Sequence, residues 1–449
     1  MRLATLAPRD GEATAVRRVV TDSRQVAKGD VFWALSGTRF DGASFVEEAF
    51  SRGASGAVSG RYIQPWPGCW GLQVDDPQRA LESLAAWTRE QFAGQVVAVT
   101  GSVGKTTTRQ MIHAVLRTQF TGSASPKNYN NHVGLPLSML AVDSSDQFAV
   151  YELAASGPGE IGRLAALCRP QIGVITRVGD AHLGGFGSLE AVAAAKTELL
   201  EHLPADGGAV IAGDDVRLRK LAARSRARVM TVGRGLDNEV VADNVHYHSG
   251  ELSFTVDGTQ MSVGVWGRHH LTGALAAVAV GRMFGIADGT IAAGLSRFQP
   301  PPMRCQIRQI AGATIIDDTY NASPTAMTAA LELLRDFDAP GRRIVVCGDM
   351  RELGDASEQL HAQLGDEVVT VCGADLLVAC GDHAQCVVEG ARAAGMPHDR
   401  AFACSCVEEI LNYCPRALRP GDVMLIKGSR ALAMERLVAA LASGATCAA

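Results

Sequence analysis

The chain has 449 residues, 47% of them hydrophobic and 20% charged, with a mean hydropathy of +0.08. This composition excludes disordered and collagen-like chains and predicts a soluble globular α/β protein of about three domains. Its 42 basic and 47 acidic residues leave a net charge of -5 with no Lys/Arg block, so neither nucleic acid nor an anionic membrane is an expected partner. The eleven cysteines are odd in number and never spaced C-x-x-C, which argues against a disulfide framework and a zinc site and for a reducing cytoplasmic setting. MRLATLAPRDGEA at the start has no apolar core, and no stretch approaches about 18 uninterrupted apolar residues, so neither a signal peptide nor a membrane span is expected.

Taken in chain order, AVRRVVTDSRQV and KGDVFWALSG predict short strands and loops, followed by a helix at QRALESLAAWTREQF, so residues 1–92 form a small α/β domain. From Gln95 the pattern becomes apolar strand (QVVAVT), glycine loop (GSVGK) and helix (TTTRQMIHAVLRTQF). Strands FAVYEL, IGVITRV and GAVIAG then alternate with helices such as 188–203, which predicts a doubly wound parallel sheet for residues 93–300. Residues 239–265 predict short antiparallel strands, and HHLTGALAAVAVGRMF a buried helix. QPPPM at 299–303 cannot be helix interior and marks the next boundary. Alternation restarts in 301–449, a Rossmann-like α/β domain: TIIDD, a helix at 325–336, RRIVVCGDM, a helix at 356–372, DLLVAC, DVMLIKGS and a last helix from Ala431.

Thr100, Gly101, Ser102, Val103, Gly104, Lys105, Thr106 and Thr107 lie between a strand and a helix, where backbone N–H groups can wrap phosphates. Lys105 would reach the terminal phosphate and the Thr106 hydroxyl a Mg²⁺. The spacing is shorter than G-x-x-x-x-G-K-[ST], because Val99 stands where the first glycine would be. Glu152 ends an apolar strand, where a doubly wound sheet delivers ligands, and a carboxylate there suits Mg²⁺. His182, just after IGVITRV, would reach the same edge. Only six lysines occur, at 28, 105, 127, 196, 220 and 427. In so arginine-rich a chain, a lysine marks a place for a compact ammonium or a deprotonatable amine. Lys196 is then either such a group or a solvated residue on the polar face of its helix.

TGSVGKTT, NYNNHVGLP, the Glu152 strand end, AHLGGFGS and AAAKTE, in that order, resemble the central ATPase domain of the Mur ligases, the amide-forming enzymes of peptidoglycan precursor synthesis. TDSR with GTRFDG, then DDTYNASP, GDMRELG and LIKGSRALAME, carry the resemblance almost end to end. Within the family the late motifs are similar to the member that joins D-alanyl-D-alanine to a UDP-muramyl tripeptide, and the D-N-P-R string of many third-residue-adding members is missing. The resemblance implies a monomeric ligase using ATP, two Mg²⁺ ions and CO₂ held as a carbamate on Lys196.

It assigns Lys105 and Thr106 to the phosphates and the first Mg²⁺, Glu152 and His182 to metal, and Arg304 and Asp318 to the nucleotide. Asn130 and Asn131 would meet the muramyl substrate, and Ser23, Arg24, Phe40, Asp41 and Gly42 its UDP end. Tyr320, Asn321, Lys427, Ser429 and Arg430 would border the dipeptide or the phosphates. The chain departs from the family where G-x-H-N-x-x-N becomes Gly267-Arg-His-His-Leu-Thr-Gly273, where Ala43 and Ser44 replace His-Asp, and where AASGPGEI follows Glu152. Rival readings are a third-residue-adding ligase, a folylpolyglutamate synthase and a nucleotide-binding paralogue without ligation.

Overall fold

The computed structural model describes residues 4–6, 16–37, 40–180, 183–411 and 418–443. Two compact units divide the chain: Met1–Ala98 with Phe120–Leu153 and Arg163–Pro170, and Val99–Gln119 with Ala154–Gly162 and Gln171–Ala449.

In the first unit a five-stranded sheet runs in the order Ala4–Leu6, Trp70–Gln73, Gly56–Ser59, Val31–Ala34, Val19–Val20. Its pairs are parallel except for the antiparallel Ala4–Leu6 edge. A strand covered on both faces needs apolar residues at consecutive positions, and Val31–Ala34 supplies four. Phe32 and Ala34 pack with Val20, Phe50 and Ala57, while Val31 and Trp33 pack with Val58 and Leu81. The helix Pro77–Gln91 starts where Asp76 accepts from the N–H groups of Gln78 and Arg79 and Pro77 fixes the first turn. Phe148–Glu152 pairs in parallel with Gly122–Ala124.

The second unit contains Val240–Val241, Arg228–Gly233, Gly208–Ala212 and Ile172–Ile175 as successive parallel neighbours. Residues 239–265 therefore do not read as antiparallel throughout. Val240–Val241 joins the parallel set, and Asp243–His248, Glu251–Val256 and Thr259–Gly264 form the antiparallel meander. The helix Leu271–Met283 is almost wholly buried, which explains why its sequence lacks a polar stripe.

Beyond the prolines, six strands stand in the order Gln306–Ile310, Ala313–Asp318, Val423–Lys427, Arg343–Gly348, Leu376–Cys380, Ala401–Cys404. Only the first pair is antiparallel. The strand order places the ends of Ala313–Asp318, Val423–Lys427 and Arg343–Gly348 side by side, and these ends carry Asp318, Lys427 and Asp349. The last helix begins at Glu435, four residues later than its sequence pattern predicts, because Ala433 turns left-handed (φ 51°) after a short 3₁₀ turn. No helix among the described residues is long and apolar enough to cross a membrane.

Candidate active site

The glycine loop is built by two glycines that no other residue could replace. Gly101 has φ 144° and a Cβ there would strike the Thr176 hydroxyl; Gly104 has φ 86° and starts the helix Lys105–Leu116. Thr176 Oγ1 donates to Val103 O at 2.7 Å and Ser102 N donates to Arg177 O at 2.7 Å, so the strand Ile172–Ile175 and the residues after it brace the loop from behind. Lys105 Nζ lies across the loop, donating to Gly101 O at 2.8 Å and Ser102 O at 3.2 Å. Thr106 and Thr107 are buried in the first helical turn.

Arg304, just past the prolines, donates from Nη2 to Thr106 Oγ1 at 3.2 Å and lies over the Tyr320 ring at 4.1 Å. Asp318 is 8% exposed, accepts from Cys305 N at 3.2 Å and forms a 2.5 Å ion pair with Lys427 Nζ, which also donates to Asn321 O at 2.9 Å. Ser429 is buried and its hydroxyl has no partner among the described residues, while Arg430 pairs outward with Glu435 at 2.8 Å. The late sequence motifs thus meet the glycine loop through Arg304 and Thr106, with Lys427 bonded to both Asp318 and Asn321.

Lys196 is 1% exposed, in the helix Leu189–Glu201 that Ser188 caps. The reading of it as a solvated helix lysine fails. Nζ donates to Ala155 O at 3.3 Å and sits 5.1 Å from the centre of the Phe186 ring. Burial first, and the Lys105 charge second, pull its pKa down to about 7, so much of the amine is neutral at physiological pH. His182 lies outside the described residues.

In the first unit, Glu152 is 2% exposed at its strand end, and Asn130 Nδ2 donates to its Oε1 at 2.8 Å. Asn131 Oδ1 accepts from the N–H groups of Val133 and Gly134 and so opens the helix Gly134–Leu140. Ser23 Oγ donates to Glu48 at 2.9 Å, and Arg24 bonds Asp22 through both Nε and Nη2, which lowers the Asp22 pKa to about 2. Phe40 is 70% exposed beside Asp41, whose carboxylate holds Ala43 N and Ser36 Oγ. Gly42 is required by close approach, since a Cβ would lie 2.5 Å from Leu35 O.

Three features escape the sequence. Thr176, the brace of the loop, stands in no motif. His269, His270 and Cys305 bring their ligand atoms within 4.8 Å of one another where the family's asparagine is missing. Burial pushes the His269 pKa down to about 4 and that of His270 well below its usual value; burial, then Asp318, holds Cys305 as a thiol. With Arg304, Arg177 and Lys427 close to this trio, we assign it no ion. Third, Asp349 at the end of Arg343–Gly348 is 2% exposed and accepts from the N–H groups of Asp382 and His383, at the edge of a cavity.

Three family models match in succession: the Mur ligase family catalytic domain at residues 15–61, the Mur ligase middle domain at 99–281 and the Mur ligase glutamate ligase domain at 303–430. The chain is 36% identical to the UDP-N-acetylmuramoyl-tripeptide--D-alanyl-D-alanine ligase of Bacillus subtilis (strain 168), covering 97% of this chain and 95% of the relative. MurF from Acinetobacter baumannii superposes with a TM-score of 0.84 at 32% identity, covering 95% of this chain and 94% of that one. MurF ligase from Thermotoga maritima in complex with ADP does so at 0.80 and 31%, covering 96% and 98%. With relatives of this identity matched over nearly their whole length, and three family models in the family's domain order, the chain belongs to the Mur ligase family.

Proposed function

We propose that this protein is the cytoplasmic, ATP-dependent ligase that adds D-alanyl-D-alanine to UDP-N-acetylmuramoyl-tripeptide, releasing ADP and phosphate, with domains at 1–92, 93–300 and 301–449 and acting as a monomer. The observation that carries it is the near end-to-end identity with a ligase of that name, joined to a loop and a buried lysine whose chemistry suits phosphoryl transfer.

A peptide carboxylate must attack the γ-phosphate, so two anions meet, and the barrier falls only if cations neutralise both. The N–H groups of Gly101–Thr107 and the Lys105 ammonium would hold the phosphates, and Arg304 and Asp318 the rest of the nucleotide. Mg²⁺ prefers oxygen ligands, and the groups that would hold it can each offer one: the Thr106 hydroxyl, the Glu152 carboxylate, which Asn130 orients, and a carbamate on Lys196. Two such ions would screen the phosphate charge. The ion-ligand role assigned to His182 is part of the proposal. Lys196 supports the carbamate because an amine with a pKa of about 7 can capture CO₂, whereas a bare ammonium beside Lys105 would repel a metal. Ser23, Arg24, Phe40, Asp41 and Gly42 would take the UDP end of the substrate, and Asn130 and Asn131 the muramyl group. Tyr320, Asn321, Lys427, Ser429 and Arg430 would border the incoming dipeptide or the phosphates.

The test is phosphate release from ATP across a panel of UDP-muramyl peptides and amino acids or dipeptides, with mass spectrometry of the product. Release that needs both the tripeptide and D-alanyl-D-alanine is the expected result. Equal turnover with UDP-muramyl dipeptide and a free diamino acid would move the protein one step earlier in the same reaction series, and nucleotide binding without turnover would make it a binder.

A further inference from the structure

The third-domain sheet ends in the strand Ala401–Cys404, and its neighbour Leu376–Cys380 pairs with it in parallel, so that Cys404 stands directly opposite Cys380. Parallel neighbours lie about 4.8 Å apart, inside the window of roughly 4.4–6.8 Å between Cα atoms that a disulfide spans. Both side chains are on one face. Cys380 is buried in the cluster that holds Val346, Val378, Ile426 and Leu437, and the partly exposed Cys404 packs against that same cluster. Cys406 follows two residues later, also partly exposed. All three are free thiols, and the phosphate chemistry above uses none of them.

The backbones of this pair belong to the scaffold of Asp349. Cys380 O accepts from Asp349 N at 3.1 Å, and Cys404 O accepts from Gly381 N at 3.0 Å. Gly381 has φ 119°, and a Cβ there would lie 2.5 Å from the Asp349 carboxylate, so the turn fits that carboxylate closely. The same carboxylate accepts from Asp382 N at 2.8 Å and His383 N at 3.0 Å, and Asp349 O accepts from Ser429 N at 3.1 Å. A change in the spacing of the last two strands therefore passes through one hydrogen bond to the Gly381 turn, and through Asp349 to Ser429. Among the described residues the strand Ala401–Cys404 has no strand on its outer side, so it is the one that yields.

We propose that Cys380 and Cys404 form a redox modification site, a thiol pair that a peroxide converts to a disulfide, loosening the Gly381 turn and slowing turnover until a thiol reductant reverses it. The sulfur of Cys404, the more exposed partner, attacks one oxygen of hydrogen peroxide. The O–O bond breaks, Cys404 becomes a sulfenic acid, and the thiol proton leaves with the other oxygen as water. The sulfur of Cys380 then attacks the Cys404 sulfur, the S–O bond breaks, and the departing hydroxide takes the Cys380 proton as a second water. The thiols have lost two electrons and the peroxide has gained them. The Cβ atoms of a disulfide stand about 3.8 Å apart, closer than the strand spacing, so the bond draws the edge strand inward and turns the Cys404 carbonyl from Gly381 N. Burial first, then the neighbouring thiols Cys404 and Cys406, lift the Cys380 pKa to about 12, and burial raises that of Cys404. Both therefore rest as thiols and react only under oxidative load, as suits a chain that is reduced at rest. The chemistry of the pair is independent of the ligase reading, and only the turnover measurement rests on it.

The experiment treats the full-length protein with hydrogen peroxide, blocks the remaining thiols with N-ethylmaleimide, and digests it without reductant for mass spectrometry. The expected product is a peptide pair joined through Cys380 and Cys404, undone by dithiothreitol, retained in Cys406→Ala and absent from Cys404→Ala and Cys380→Ala. In the oxidised wild type the amides of Asp349, Asp382 and His383 should exchange hydrogen about tenfold faster, and ATP-dependent phosphate release should fall severalfold, both restored by dithiothreitol. Cys404→Ala, at a partly exposed position, should keep its rate through the same treatment. A bridge through Cys406 in place of either partner, or a sulfinic acid at Cys404 beside a free Cys380, overturns the pair. A Cys380–Cys404 bridge with unchanged amide exchange overturns the link to Asp349. Untreated protein that releases no phosphate, yet forms the bridge and shows the faster exchange, overturns the ligase reading and supports this one.

Discussion

A lysine that is 1% exposed, with Nζ bonded to one carbonyl and resting over a phenyl ring, holds a full ammonium charge only at a cost, and the pKa of about 7 expresses that cost. Between pH 7 and the ordinary lysine value the unfolded chain binds more protons than the folded one, so folding stability rises with pH through that window. Below pH 7 the folded state must carry the buried charge. Wild type should therefore gain on Lys196→Met in denaturant melts as pH rises from 7 to 9. Turnover should fall below pH 7 and in CO₂-depleted buffer. Lys196→Ala should be inactive and partly rescued by millimolar short carboxylates; a normal rate in Lys196→Arg would refute the carbamate. Thr176→Val strips the donor from the part-buried Val103 O, and a carbonyl that loses its partner there should cost about 1 kcal/mol and raise KM for ATP. Urea melts and ATP titrations check both. The contrast between these residues marks what a sequence can carry. Lys196 is legible because so few lysines exist that a retained one asks for a reason. Thr176 is not, because its function lies in a contact across 73 positions that no local pattern encodes.

At the scale of elements, the helices Ser357–Thr370 and Ala384–Ala393 cross at two glycines: a Cβ on Gly365 would overlap Val387 O, and one on Gly390 would overlap Ala362 O. Backbone against backbone cannot yield as a side chain would. Gly365→Ala should push the helices apart and cost at least about 1–3 kcal/mol, although alanine is the better helix former by about 1 kcal/mol. Thermal melts would settle the sign, and a more stable variant would mean that the pair relaxes without loss. Strands were the most legible elements, since runs such as VVAV and IVVC are apolar at successive positions only when both faces are covered. Two boundaries were not legible. Val240–Val241 looks like the start of the meander because two residues carry no periodicity, and the final helix starts late because Ala433 adopts a left-handed conformation that its side chain does not announce.

For the whole molecule, the proline run at 299–303 was readable as a joint, but its consequence was not. Arg304, immediately after it, reaches back across 198 positions to the Thr106 hydroxyl while its guanidinium lies over Tyr320. The third-domain sheet is therefore tied to the phosphate loop by a group that nucleotide must compete with or recruit. A ligand that binds only the folded state adds RT ln(1 + [L]/Kd), about 2.7 kcal/mol at a hundredfold excess over Kd. If Arg304 turns from Thr106 to the phosphates, Mg·ADP should raise the Tm of wild type by several degrees and that of Arg304→Ala by clearly less at the same concentration. Without nucleotide, the two proteins should melt within about 1 kcal/mol of each other, since a bond between a partly exposed arginine and one hydroxyl contributes little. Equal nucleotide shifts in both would show that Arg304 is only a strut between loop and sheet. A large loss of stability in the free variant would show the same, because the bond to Thr106 would then be structural and not one that ATP replaces. Lys105→Ala supplies the reference: it should abolish the shift while leaving the free protein folded, as the Lys105 ammonium donates to Gly101 O and Ser102 O of the loop that would hold the phosphates.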